Sequence, residues 1–207
     1  MSDRIRLSLW FESQTTAQIL PRLADAVAVL PQEAQVRGVR QFSVVPIDWN
    51  EPAVIEERPE AGVSAEEAIE AMREFMHEDC AAEIELSWLL WTYSGGSWQQ
   101  APHQLRFTGM GPAFGGGSAR EDGQISVDFG LDEAFLADLA PWNRETRQHL
   151  QANIIQLLVY AHRLQEQLHP AERRLWSDGE SDWTAKLTRR LELASSEAGT
   201  GAENLVQ

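Results

Sequence analysis

Ile5, Leu7, Leu9 and Phe11 alternate with Arg4, Arg6, Ser8, Trp10 and Glu12, the period-two pattern of a strand with one buried face. Behind it, Ile19, Leu20, Leu23, Ala26, Val27 and Leu30 keep helical spacing after a threonine start. Pro21 falls inside that run and disrupts its interior unless the helix begins at the proline, where a missing amide does no harm. The β-branched stretch VRQFSVVPI reads as a second strand, DWNEP as a turn and AVIEE as a short returning strand. Ser64 and Glu67 then form a capping box ahead of a stripe of Ala68, Ile69, Met72, Phe75 and Met76, which predicts a helix. A long strand follows, with Ile84, Leu86, Trp88 and Leu90 on one face and Glu83, Glu85, Ser87, Leu89 and Trp91 on the other.

This order, β-α-β-β-α-β, resembles the split βαβ arrangement of ferredoxin-like domains, and the resemblance is one of architecture alone. It implies an α+β fold in which the first and fourth strands are neighbours. The segments HQLRFT and QISVDF alternate as two more strands and are expected to extend the antiparallel sheet as a β-hairpin. A helix is expected from about Asn143 to Leu168, a restart at the helix-compatible Pro170, and a last helix marked by Trp183, Leu187 and Leu191. The chain therefore divides into a sheet domain over 1–142, C-terminal helices over 143–194 packed on it, and a tail over 195–207 too poor in apolar groups to dock.

Charge changes this picture most. The net charge is −15, and residues 61–140 alone carry −11. Such a field disfavours nucleic acid and anionic membrane surfaces and steers a basic protein partner toward the chain. No apolar run reaches the roughly 18 residues of a membrane span, and the N-terminus lacks a signal-type apolar stretch. Cys80 is the only cysteine, so no intrachain disulfide forms, and a cytoplasmic location is the expectation.

Catalytic templates fail in turn. GMGPAFGGG, residues 109–117, has the third glycine one place late for a dinucleotide loop and leads into a turn and a strand, with no helix dipole to meet a phosphate. It is expected to be a long mobile connection whose Met110 and Phe114 either offer a contact surface or fold back onto the sheet. His77 and Cys80 lack the three or four converging ligands of a metal site, and Cys80 opens a strand that reads as buried. No catalytic residue, metal or cofactor is assigned.

The tryptophans are the better lead. Trp10, Glu83, Glu85 and Trp91 are expected on the sheet face opposite the core, and Trp49 in the turn after the second strand. Either the C-terminal helices cover that face or a partner does. The resulting expectation is an acidic, non-enzymatic interaction protein of inhibitor or immunity type. Its partner-binding set is Trp10, Trp49, Glu83, Glu85, Trp91, Met110 and Phe114. The alternative is a small-molecule site or an enzyme with a pocket between the sheet and the C-terminal helices, the glycine stretch acting as a lid. Self-association through a sheet edge stays open.

Overall fold

A computed structural model describes residues 3–31, 35–136, 140–177, 179 and 183–200. Its strands are β1 (Arg4–Trp10), β2 (Gln35–Pro46), β3 (Ile55–Glu57), β4 (Cys80–Ser94), β5 (Ser97–Met110), β6 (Ile125–Leu131) and β7 (Glu172–Trp176). The α-helices are α1 (Thr16–Ala28), α2 (Ala65–Met72), α3 (Ala119–Asp122), α4 (Glu133–Leu136), α5 (Arg144–Leu168) and α6 (Trp183–Thr200). All seven strands join one antiparallel sheet in the order β3-β2-β4-β5-β6-β1-β7.

The α+β class and the antiparallel sheet are as the sequence predicts, but the strand order departs from the expected β1–β4 adjacency. Two strands, β5 and β6, lie between them. The cause is the length of the β4–β5 hairpin, which pairs without interruption from Ala81 with Met110 to Ser94 with Ser97. Gly95 and Gly96 close it with φ of +60° and +87°, the backbone that a two-residue turn of this twist demands. Once β5 occupies the inner flank of β4, the β5–β6 pair builds the sheet from within and β1 closes onto β6.

One further expectation is corrected, and the place of Pro21 is decided. The restart at Pro170 is a strand: α5 stops at His169 in the left-handed conformation, and β7 pairs with β1 at the sheet edge, burying Leu175. Helix α1 begins at Thr16, five residues before Pro21, so the proline sits inside it and has no amide to offer the Ala17 carbonyl. The Thr15/Gln18 capping box and the burial of Ile19, Leu20, Leu23, Ala26 and Val27 outweigh that missing bond. Helix α6 runs through the start of the segment expected as a tail, and residues 201–207 lie outside the described residues.

One face of the sheet carries the core. Ile5, Leu7, Leu9, Ile84, Leu86, Phe107 and Val127 meet the apolar stripes of α1, α2 and α5. Between the sheet and α5, where the alternative reading puts a pocket, lie Trp88, Phe129 and Tyr160, whose rings meet edge to face at 5.7–6.2 Å. The buried Tyr160 hydroxyl donates to the Ala26 carbonyl at 3.0 Å, tying α5 to α1.

Candidate interaction surface

The other face of the sheet is polar, because the period-two pattern sends every second side chain there. Its cross-strand registers make two transverse rows. One runs Gln41, Glu85, Arg106, Asp128, Arg6 and Trp176 across six strands. The other runs Glu56, Ser43, Glu83, Thr108, Ser126, Ser8 and Arg174 across seven.

Opposite charges fall side by side in the first row and cancel. Arg106 bonds Glu85 at 2.7 Å and lies 3.9 Å from Glu83, Arg4 bonds Asp128 at 2.8 Å, and Gln104 donates to Glu85 at 2.6 Å. Glu83 and Glu85, expected to face a basic partner, therefore direct their charge at Arg106 within the sheet.

Burial raises the pKa of the Glu83 carboxyl above the ordinary carboxylate value; Arg106 opposes this, and Glu85 and Asp128 add to it. A raised carboxyl binds more protons in the folded than in the unfolded chain. Its stabilising contribution is thus present below the unfolded pKa and is lost as pH rises through the folded one. Glu83→Gln is accordingly expected to melt higher than the wild type at neutral pH, with the gap closing on acidification. Glu85→Gln, which strips Arg106 of its close partner, is expected to melt lower. Thermal melts across pH check both, and a lower neutral midpoint for Glu83→Gln contradicts this account.

Trp10 and Trp91 are neither covered by the C-terminal helices as a layer nor bare. The Trp10 indole donates to the Arg120 carbonyl at 3.0 Å, and Arg174 of β7 lies 5.7 Å from its ring. Trp91 stacks on His149 of α5 at 3.8 Å, and the fully buried Asn153 bonds both its backbone N–H and its carbonyl. Among the described residues the β2 register reaches Trp88 of β4, and beyond it Asn153 supplies to Trp91 what a paired strand would supply.

The glycine stretch is folded back onto the sheet. Phe114 is fully buried and Met110 nearly so, in a small second core with Val45, Ala81 and Ala119. Of the two arrangements open to Met110 and Phe114, a contact surface or a fold back onto the sheet, the structure has the second, and both side chains anchor the loop. Gly115 and Gly117, at φ of +56° and +103°, let the chain reverse tightly around Phe114. The four-residue α3 follows where a plain turn was expected, with Glu121 and Asp122 in its first turn.

What this small core supports is the connection between β2 and β3. Trp49 stands edge-on to Phe114 at 4.7 Å yet stays 45% exposed, flanked by Ile47 at 57% and Val54 at 51%. Ile47 adopts φ of +65°, a costly conformation for a β-branched residue. Several hydrogen bonds hold this connection, among them the Ile47 amide donating to the Asp79 carbonyl at 2.7 Å, the Ile47 carbonyl accepting from Gly115 at 2.6 Å, the Val54 amide donating to the Val44 carbonyl at 2.9 Å, and Asp48 accepting the Asn50 amide at 2.7 Å. Asp48 and Glu51 lie within it, and Glu78 and Asp79 belong to the segment that bonds the Ile47 amide.

Ile47 and Val54 were missed by sequence reasoning; an isoleucine beside a proline reads as the end of a strand. Trp49 was found because a turn tryptophan has no core to join. Cys80 is buried, its thiol pushed up first by that burial, and its amide bonds the His77 carbonyl, so His77 and Cys80 form no activated pair. Compared with protein-family models, curated proteins and solved structures, the chain matches none.

Proposed function

We propose that this chain is an acidic interaction protein that binds a basic protein partner, with the connection between β2 and β3 as its anchor. The observation that carries the reading is the trio Ile47, Trp49 and Val54, solvent-exposed on a backbone pinned from two sides and bordered by carboxylates. Large apolar groups held rigidly lose little entropy on binding, and a rim of uncompensated charge adds steering. The polar sheet face, by contrast, is largely neutralised within itself.

Capture from a native extract, at low and at moderate salt, tests this. The wild type is expected to retain a basic protein that moderate salt releases. Trp49→Ala is expected to weaken that retention by about ten- to a hundred-fold, the range of a central aromatic anchor. A wild type that retains no salt-sensitive partner sinks the reading.

A second reading is favoured by one feature, a recess of about 600 Å³ on the polar face lined by Arg40, Gln41, Arg58, Glu85, Ser87 and Gln104. Its mixed donors and acceptors suit a small polar ligand. A saturable thermal shift with a metabolite that persists in salt, together with an empty capture experiment, would favour it over the first.

A further inference from the structure

Helices α1 and α2 leave between them an apolar groove of about 500 Å³, lined by Ala17, Leu20, Pro21, Ile69, Arg73 and Met76. Leu20, Ile69 and Met76 form its floor: each belongs to the main core and keeps a small accessible fraction. Met76, unbranched and polarisable, adapts to whatever packs on it. Pro21 adds a rigid ring to one wall and offers no N–H to the Ala17 carbonyl.

The surroundings of the groove are acidic. Residues 65–79 carry six carboxylates and one arginine, and that arginine, Arg73, is paired with Glu70 at 2.8 Å. Glu66, Glu74, Glu78 and Asp79 are exposed along the same segment. An anionic ligand is repelled here, and so is a second copy of a chain whose net charge is −15.

The chain also connects the groove to the anchor described above. Met76 leads directly into the turn whose Glu78 and Asp79 carbonyls hold Ala113 and Ile47. Arg73, the charged residue of the lining, is offset by Glu70, and an apolar floor on a segment otherwise rich in exposed carboxylates suits a helix with one apolar and one cationic face.

Resting on the reading of the chain as an acidic interaction protein, we infer that the α1–α2 groove receives a cationic amphipathic helix of its basic partner. Apolar side chains of that helix, spaced three and four residues apart, enter between Leu20, Ile69 and Met76, and its lysines or arginines meet Glu66 and Glu74.

Two synthetic probes separate this from electrostatics alone: an 18-residue leucine/lysine peptide with helical amphipathic spacing, and an 18-residue lysine/serine peptide of equal charge. Binding is followed by anisotropy of the labelled peptides and by the methionine methyl resonances of the ¹³C-labelled full chain. The amphipathic peptide is expected to bind at least tenfold tighter than the control. It should shift the Met76 methyl and leave those of the core residues Met72 and Met110 in place.

Ala17→Trp, at an exposed position of α1, fills the groove and is expected to remove that preference, whereas Trp49→Ala leaves it intact. Equal binding of the two peptides with a silent Met76 overturns the groove assignment and leaves the acidic reading standing. Failure of both peptides to bind at low salt overturns the two together. The methyl readout on the wild-type chain decides the matter even should Ala17→Trp fold poorly.

Discussion

Phe114→Ala is expected to cost about 3–5 kcal/mol, the range for emptying a fully buried phenylalanine site, and to lower the melting midpoint by roughly 6–20 °C for a chain of this size. The side chain is completely buried among Val45, Ala81, Met110 and Ala119, and no other residue of that small core fills as much space. Because the cluster is separate from the main core, the damage begins locally. The Gly115 amide, now bonded to the Ile47 carbonyl, should exchange its hydrogen far faster, and the Ile47 backbone should lose the contact that keeps it at positive φ. Trp49 loses the ring it rests on, so partner binding should fall with stability. Calorimetry with hydrogen exchange at Gly115 measures both, and an unchanged midpoint would show that the glycine stretch does not pack as described.

Asn153→Leu is the second large effect. Leucine has the branching of asparagine but a greater volume, so packing alone predicts a cost of about 1–3 kcal/mol. The asparagine also accepts from the Trp91 amide at 2.9 Å and donates to the Trp91 and Ala134 carbonyls at 2.8 and 2.7 Å, from a fully buried site in α5. Leucine strands three backbone groups at about 1–3 kcal/mol each, and a total loss of at least roughly 3 kcal/mol is expected. Chemical denaturation should show this as a lower midpoint with an unchanged slope. A leucine variant as stable as the wild type would mean that water serves these groups equally well, and that Asn153 does not substitute for a neighbouring strand.

These two residues also show where reading the chain alone reached its limit. Asn153 is one polar position among the apolar stripe of α5, and its role depends on β4 outrunning β2, a matter of strand lengths on opposite sides of the sheet. Phe114 was read as loop because glycines surround it. Its burial depends on Val45, Ala81 and Met110, far apart in the chain, presenting a bare apolar end of the polar sheet face. Glu83 and Glu85 were correctly placed on that face, yet their charge is turned inward by Arg106, which the register and not the spacing brings opposite them. Trp49 was legible as an unpartnered aromatic in a turn, while the positive φ of Ile47 beside it leaves no trace in residue type.

The alternation of apolar and polar positions by itself determined the longer strands and helices and which side of each is buried, since a side chain's direction follows from backbone period, whereas the short β7 and α3 escaped it. Composition likewise determined that the molecule is strongly acidic. Only the tertiary structure decided that β5 and β6 separate β1 from β4, that the glycine stretch anchors, and that exposed apolar groups and carboxylates meet at one end. Those outcomes are set by pairings between distant residues, where hairpin length and the competition for each strand edge choose among arrangements that local pattern satisfies equally.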